Sequence, residues 1–219
     1  MIPKPEFADG KKVMEWLEGN NVSGIILKGD GRHFSAGADL RYFNETNLSQ
    51  EEYTNEFNRG NAILNYIENL EKPVIAAIDG ACLGGGLEFA LACHIRYCSC
   101  NAVFGFPEIN HGILPGFGGT ERLVKTVGRS RAIEILLTGD TFGAERALEI
   151  GLVNYISSEK SCFNYAVEVM EKIIAKGEKP VTYAIRSVNN SCRLDFETAM
   201  KEEGRMFADL VINRYGGEA

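Results

Sequence analysis

Apolar residues along this chain fall into two rhythms, short unbroken runs and longer stretches spaced three or four apart. The stretch FADGKKVMEWLEG carries Val13, Met14, Trp16 and Leu17 at helical spacing and stops at Gly19. From about Val22 to Lys28 an apolar run between turn residues predicts a buried strand, and the small-residue loop HFSAGADL follows it. LSQEEYTNEFNRGNAILNYIENL reads as a helix opened by Ser49, with Glu52 three residues later forming a capping box. KPVIAAIDG reads as a second buried strand, started by Pro73 and stopped by Asp79-Gly80. GGGLEFALACH then predicts a helix, IRYCSC a third strand and AVFGFPEI a short extended piece. This alternation is the pattern of parallel βαβ units. Beyond Gly119 the chain turns helical through TERLVKTVG, SRAIEILLTG and GAERALEIG, before a short LVNYIS. Its tail, CFNYAVEVMEKIIAKG, PVTYAIRSVNNS and DFETAMKEEGRMFADLVINRY, is helical too. The class expected is α/β with an α-helical C-terminal part.

Composition changes little in that picture. The 219 residues suffice for one domain with a sizeable core, or one domain plus a small appendage, and 45% hydrophobic with 24% charged residues is ordinary for a globular protein. No apolar run reaches the length of a membrane span, and MIPKPEFADGKK lacks a basic-then-apolar signal, so a cytoplasmic location is expected. A formal net charge of −7 argues against a nucleic-acid or acidic-membrane partner. It leaves room for an anionic small molecule held by a local basic rim or by backbone N–H groups. Of the six cysteines, Cys82, Cys93, Cys98 and Cys100 lie in or near one apolar segment, as small buried hydrophobes do, and Cys162 and Cys192 stand apart. CHIRYCSC has no paired C-x-x-C spacing, so reduced structural thiols and no metal are expected.

Chemistry concentrates in two Gly-rich loops. In FSAGADL and LGGGLE a buried strand runs into small residues and then into polar or helical chain. Small residues let a ligand touch the backbone, and the N–H groups at a helix start carry partial positive charge. Two such loops meeting at strand ends would aim a pair of N–H donors at one oxygen, an oxyanion hole. Glu88 lies three residues after Gly85, on the same helix face. Glu108 follows Pro107 among apolar residues in FGFPEINHGILPGFGGTERL. Two glutamates in apolar settings suit general acid/base work on water. A Glu near a helix start also serves as a dipole partner, and Glu108 could pair with a core arginine, so spacing alone leaves both readings open.

Four ordered motifs, FSAGADL, KPVIAAIDGACLGGGLEFALACHIRYCS, FGFPEINHGILPGFGGTERL and LTGDTFGAERALEIGLVN, together resemble the crotonase superfamily, and within it enoyl-CoA hydratases, from about Val22 to Tyr155. The resemblance implies a spiral of βαβ units over residues 1–155, with its N-terminal strands missing, and a helical oligomerisation region over 156–219 that supports homotrimers or hexamers. It implies an oxyanion hole at the N–H groups of Ala38 and Gly85 for the thioester carbonyl of an acyl-CoA. It assigns water activation and proton supply to Glu88 and Glu108, and substrate contacts to Ala36, Ala38, Asp39, Leu40, Gly84, Gly85, Pro115 and Gly116. The implied reaction is addition of water across the 2,3-double bond of a 2-enoyl-CoA, with coenzyme A as part of the substrate and no separate cofactor. Having both glutamates favours hydratase over three alternatives: an enoyl-CoA isomerase, a carrier-linked dehydratase or decarboxylase, and a non-catalytic acyl-CoA-binding member.

The match departs at several points. Both ends are shorter than the family pattern. His94 stands where the family has Asp; at a helix end it reads as a structural, cationic or C-capping residue. His111 could line the acyl pocket, and His33 reads as a surface residue. Lys28, Arg32 and Arg41 flank the first loop, facing either CoA phosphates or plain solvent, and Tyr42 and Phe43 either cover the acyl tail or pack.

Overall fold

The computed structural model describes residues 21–39, 41, 45–158 and 161–215. The N-terminal helix expected around Val13 to Leu17, and Leu40, Tyr42 and Phe43, lie outside the described residues. The described chain winds as a spiral in which each turn adds one strand to each of two sheets and then a helix. The first sheet holds β1 (Ile25–Lys28), β2 (Val74–Ile78), β4 (Ile95–Ser99) and β7 (Tyr155–Ser157) in the order β1-β2-β4-β7, all parallel. The second holds β3 (Ala81–Leu83), β5 (Val103–Gly105) and β6 (Phe142–Gly143), with β3 and β5 parallel and β6 antiparallel. Ser35 extends the second sheet by one parallel bridge to Cys82. The expected βαβ spiral is therefore present.

Helix α1 (Gln50–Asn69) starts where the capping box places it: the Ser49 hydroxyl accepts the Glu52 N–H and the Glu52 carboxylate accepts the Ser49 N–H. Helix α2 (Gly85–Ala92) follows β3 directly. The AVFGFPEI stretch divides into β5 and a 3₁₀ turn at Pro107–His111. Then come α3 (Gly119–Val127), α4 (Arg129–Thr138), α5 (Ala144–Glu149), α6 (Cys162–Ile174), α7 (Glu178–Ser191) and α8 (Phe196–Tyr215). Strands β3 and β6 escape sequence reading because two or three residues are too few to show a period.

Strand β2 explains the division of the core. All five of its residues are buried. Val74, Ala76 and Ile78 face a main core with Leu87, Phe104, Phe106, Leu123 and Leu152, whereas Ile75 and Ala77 face a second cluster with Tyr97, Cys162, Ala166 and Met170. Side chains alternate across a strand, so a strand covered on both faces reads as the unbroken run VIAAI. The second cluster makes α6 part of the sheet packing. The boundary expected at 155/156 thus falls within β7, and the helix after it closes the sheet's second face. Cys82, Cys93, Cys98 and Cys162 are buried, and burial pushes the Cys93, Cys98 and Cys162 thiols up to about 12, where they are inert. Among the described residues no three His, Cys, Asp or Glu side chains are grouped to hold a metal ion, and no helix is long and apolar enough to cross a membrane.

His94 departs from expectation in its charge. Its Nδ1 accepts the Val74 N–H at 3.1 Å, which requires the proton on Nε2, 3.3 Å from the Glu68 carbonyl oxygen. Burial lowers its pKa, so the ring is a neutral splice between α1, β2 and the end of α2 rather than a cation.

Candidate active site

The two Gly-rich loops meet because the first runs beside β3. Ser35 N–H donates to the Ala81 carbonyl, the Leu83 N–H donates to the Ser35 carbonyl, and the Gly37 N–H turns back to Ser35 Oγ at 3.2 Å. This lays Ala36–Ala38 against the start of α2. A Cβ built on Gly85 would lie 3.9 Å from the Ala38 nitrogen and 3.8 Å from Glu88 Oε2. Neither the Ala38 nor the Gly85 N–H donates to any acceptor among the described residues. Gly85 opens α2, where an N–H has no partner within the helix. Two free donors from separate segments therefore stand beside one carboxylate oxygen, an arrangement able to receive negative charge on a carbonyl oxygen.

Glu88 is 1% exposed. Its Oε1 accepts the N–H of Phe117 at 2.7 Å and of Gly119 at 2.9 Å, so it caps the start of α3 from another helix. Gly119 is required there, since a Cβ on it would come within 2.8 Å of that oxygen. Burial raises the Glu88 pKa to about 7; the two backbone N–H groups pull it down, Glu108 pushes it up and Arg122 lowers it. Glu108, in the first turn of the 3₁₀ segment, is also raised by burial, and its Oε2 is buried without a hydrogen bond among the described residues. Its other oxygen lies against Gly84: a Cβ there would sit 2.6 Å from Oε1, and the backbone at Gly84 has φ +51. Glycine at 84 is thus needed both for its conformation and for space. The Gly triplet is the surface on which two carboxylates and a pair of N–H donors converge.

These groups line a largely apolar cavity of about 930 Å³. Of the residues expected at the site, Ala36, Ala38, Gly84, Gly85, Glu88, Glu108, Pro115 and Gly116 line it together. Asp39 instead makes a bidentate ion pair with Arg41, with Arg41 Nη2 2.6 Å from Asp39 Oδ2, and that pairing holds the Asp39 carboxyl below its usual range. Leu40 lies outside the described residues. His111 lines the cavity from the end of the 3₁₀ segment. His33 is exposed and its Nδ1 accepts the Ala81 N–H, while Lys28 sits over the Phe163 ring. Sequence reading missed the wall given by α1: Gln50, Tyr53, Thr54 and Phe57 all line the cavity. Their spacing of i, i+3, i+4 and i+7 on one helix face was the available signal.

With this geometry, similarity to known proteins becomes decisive. The family model described as "Enoyl-CoA hydratase/isomerase" matches residues 7–214. The chain belongs to the enoyl-CoA hydratase/isomerase family. It is 38% identical over 208 residues to a short-chain-enoyl-CoA hydratase of Clostridium acetobutylicum, covering 92% of this chain and 79% of that protein. It is also 38% identical to a crotonyl-CoA hydratase of Syntrophomonas wolfei, over 84% of this chain and 70% of the other. Among solved structures, an enoyl-CoA hydratase from Thermoplasma volcanium superposes with a TM-score of 0.88 at 31% identity, covering 97% of this chain and 83% of that one. Membership of the enoyl-CoA hydratase/isomerase family accounts for the spiral and for an acyl-CoA thioester as the class of small-molecule substrate.

Proposed function

We infer that this protein is an enoyl-CoA hydratase, adding water across the 2,3-double bond of a 2-enoyl-CoA. The observation that carries the reading is a buried Glu88 and a half-buried Glu108 lining one cavity beside two free backbone donors. The Ala38 and Gly85 N–H groups receive the thioester carbonyl oxygen, and each such donor typically contributes about 3–4 kcal/mol of transition-state stabilisation. Glu88, with one oxygen tied to Phe117 and Gly119, directs its free Oε2 toward a water and takes one of its protons as the water oxygen bonds to C3. Glu108, which burial favours in its protonated form, gives its proton to C2 as the electron pair returns from the thioester oxygen. Product carries one oxygen and two hydrogens more than substrate, and the proton left on Glu88 restores Glu108 through the next water. This chemistry requires no redox step, so coenzyme A enters as part of the substrate.

The curated relatives named for short-chain and crotonyl substrates support small acyl groups. We also assign α7 and α8 a role in self-association, on the apolar residues that α8 leaves uncovered: Phe196, Phe207, Ile212 and Tyr215 are each at least 67% exposed.

The reading is tested by following loss of the enoyl-thioester ultraviolet absorbance with crotonyl-CoA. Parent protein should consume the double bond rapidly and Glu108→Gln almost not at all. Isomerisation of a 3-enoyl-CoA by Glu88→Gln, without hydration by the parent, would replace this reading with the isomerase one.

A further inference from the structure

One face of α1 does more than line the cavity. Phe57, Gly60, Asn61, Asn65 and Glu68 recur at helical spacing, and each touches the segment that holds Glu88 or the arginine beneath it. The rings of Phe57 and Phe117 meet edge to face at 5.8 Å. Each ring also rests on a glycine of the opposite segment: Phe117 on Gly60, and Phe57 on Gly116. Asn61 Nδ2 donates to the Gly116 carbonyl at 3.2 Å. Further along, Arg122 is 6% exposed and spends its guanidinium in three directions. Nε donates to Glu68 Oε2 at 2.9 Å, Nη2 to Asn65 Oδ1 at 2.7 Å and Nη1 to the Phe117 carbonyl at 2.6 Å.

The Phe117 residue thus has both backbone groups engaged. Its carbonyl is held by Arg122, and its N–H holds Glu88. We propose that Arg122 is the positioning residue for Glu88: anchored on the Asn65–Glu68 end of α1, it fixes the Phe117–Gly119 turn so that two N–H groups engage one carboxylate oxygen and leave the other for water. The inference rests on the hydratase reading for the role of Glu88. All three nitrogens of this buried guanidinium are engaged, by a carboxylate, a side-chain amide oxygen and a backbone carbonyl, and its planar fork suits a fixed geometry that lysine cannot copy. Its charge also favours the ionised form of Glu88, and so does each N–H bond that the turn supplies.

The test compares Arg122→Met, Arg122→Lys and Asn65→Ala with the parent, each checked for native fold by near-ultraviolet circular dichroism. Crotonyl-CoA hydration is measured across the neutral pH range. Arg122→Met should lower kcat at about pH 7 by roughly tenfold or more, with KM within about threefold. Its rising limb should move to higher pH, because loss of the charge and of the aligned N–H groups both disfavour the Glu88 carboxylate. Arg122→Lys, which keeps the charge, should recover part of the limb position but less of kcat. A folded Arg122→Met with the parent's kcat and pH profile would overturn the proposal. If Arg122→Met does not fold, Asn65→Ala and Arg122→Lys decide it by the same two readouts, and parent-like values in both would sink it. If the parent itself fails to hydrate, the hydratase reading falls separately. Carbon-13 titration of Glu88 then tests the positioning alone: an upward shift in the variants supports it, and an unmoved titration refutes it.

Discussion

Glu88 concentrates opposing demands in one side chain. A carboxylate 1% exposed in the main core is costly to ionise, and its raised pKa measures that cost. For an acid whose folded pKa lies above its unfolded value, the native state binds the extra proton, so stability falls as pH rises between the two. The window here runs from about 4.5 to about 7. Glu88→Gln keeps an oxygen for the Phe117 and Gly119 N–H groups and removes the titration. Urea unfolding at both ends of that window should therefore find the variant gaining on the parent as pH rises, by on the order of 3 kcal/mol. The same variant should lose hydration, so activity and stability move in opposite directions at one residue. His94 has the reverse dependence: its pKa is depressed in the fold, so it costs stability as pH falls below its ordinary value.

At the level of elements, α1 separates its tasks by position. Its start is set by the Ser49–Glu52 box on the exposed side, away from Arg122. Ser49→Ala should cost about 1 kcal/mol in urea unfolding and leave kcat near the parent value. Its middle forms the cavity wall. Phe117→Ala would remove the ring that meets Phe57 while retaining the N–H to Glu88. Its kcat/KM for a ten-carbon enoyl-CoA relative to crotonyl-CoA should rise severalfold in a competition assay, as a wall ring gives way to room for a tail. The capping box, β2 and the Gly85–Ala92 helix were legible in the sequence because each has a local signature: a cap with its partner, a bounded apolar run, or a glycine start. Glu88 and Glu108 were legible as candidate acid–base chemistry, and the roles proposed for them came from resemblance. Arg122 was not legible, because its three acceptors lie on α1 and at Phe117, and no local spacing links them. The cationic reading of His94 failed for a similar reason: the Val74 N–H that demands a neutral ring is twenty residues away.

Across the whole molecule, α7 is pinned to the end of α1 by polar contacts: Arg186 pairs with both Glu71 oxygens, and Asn189 Nδ2 donates to the Glu68 carbonyl. Helix α8 packs on α7 and leaves much of its apolar surface bare. Phe207→Asp should accordingly lower the mass measured by sedimentation, while circular dichroism of the protein stays native. The cap that Glu88 places on α3 also has a meaning in time. Gly119 leaves the ribosome 31 residues after Glu88, so α2 emerges carrying a carboxylate whose donors do not yet exist. Until that later turn arrives, Glu88 keeps its water and the core around Leu87 cannot close over it. Docking of that turn is thereby one event with two outcomes: it lets the chain close over Glu88, and it sets the carboxylate in the geometry that it holds at the cavity wall.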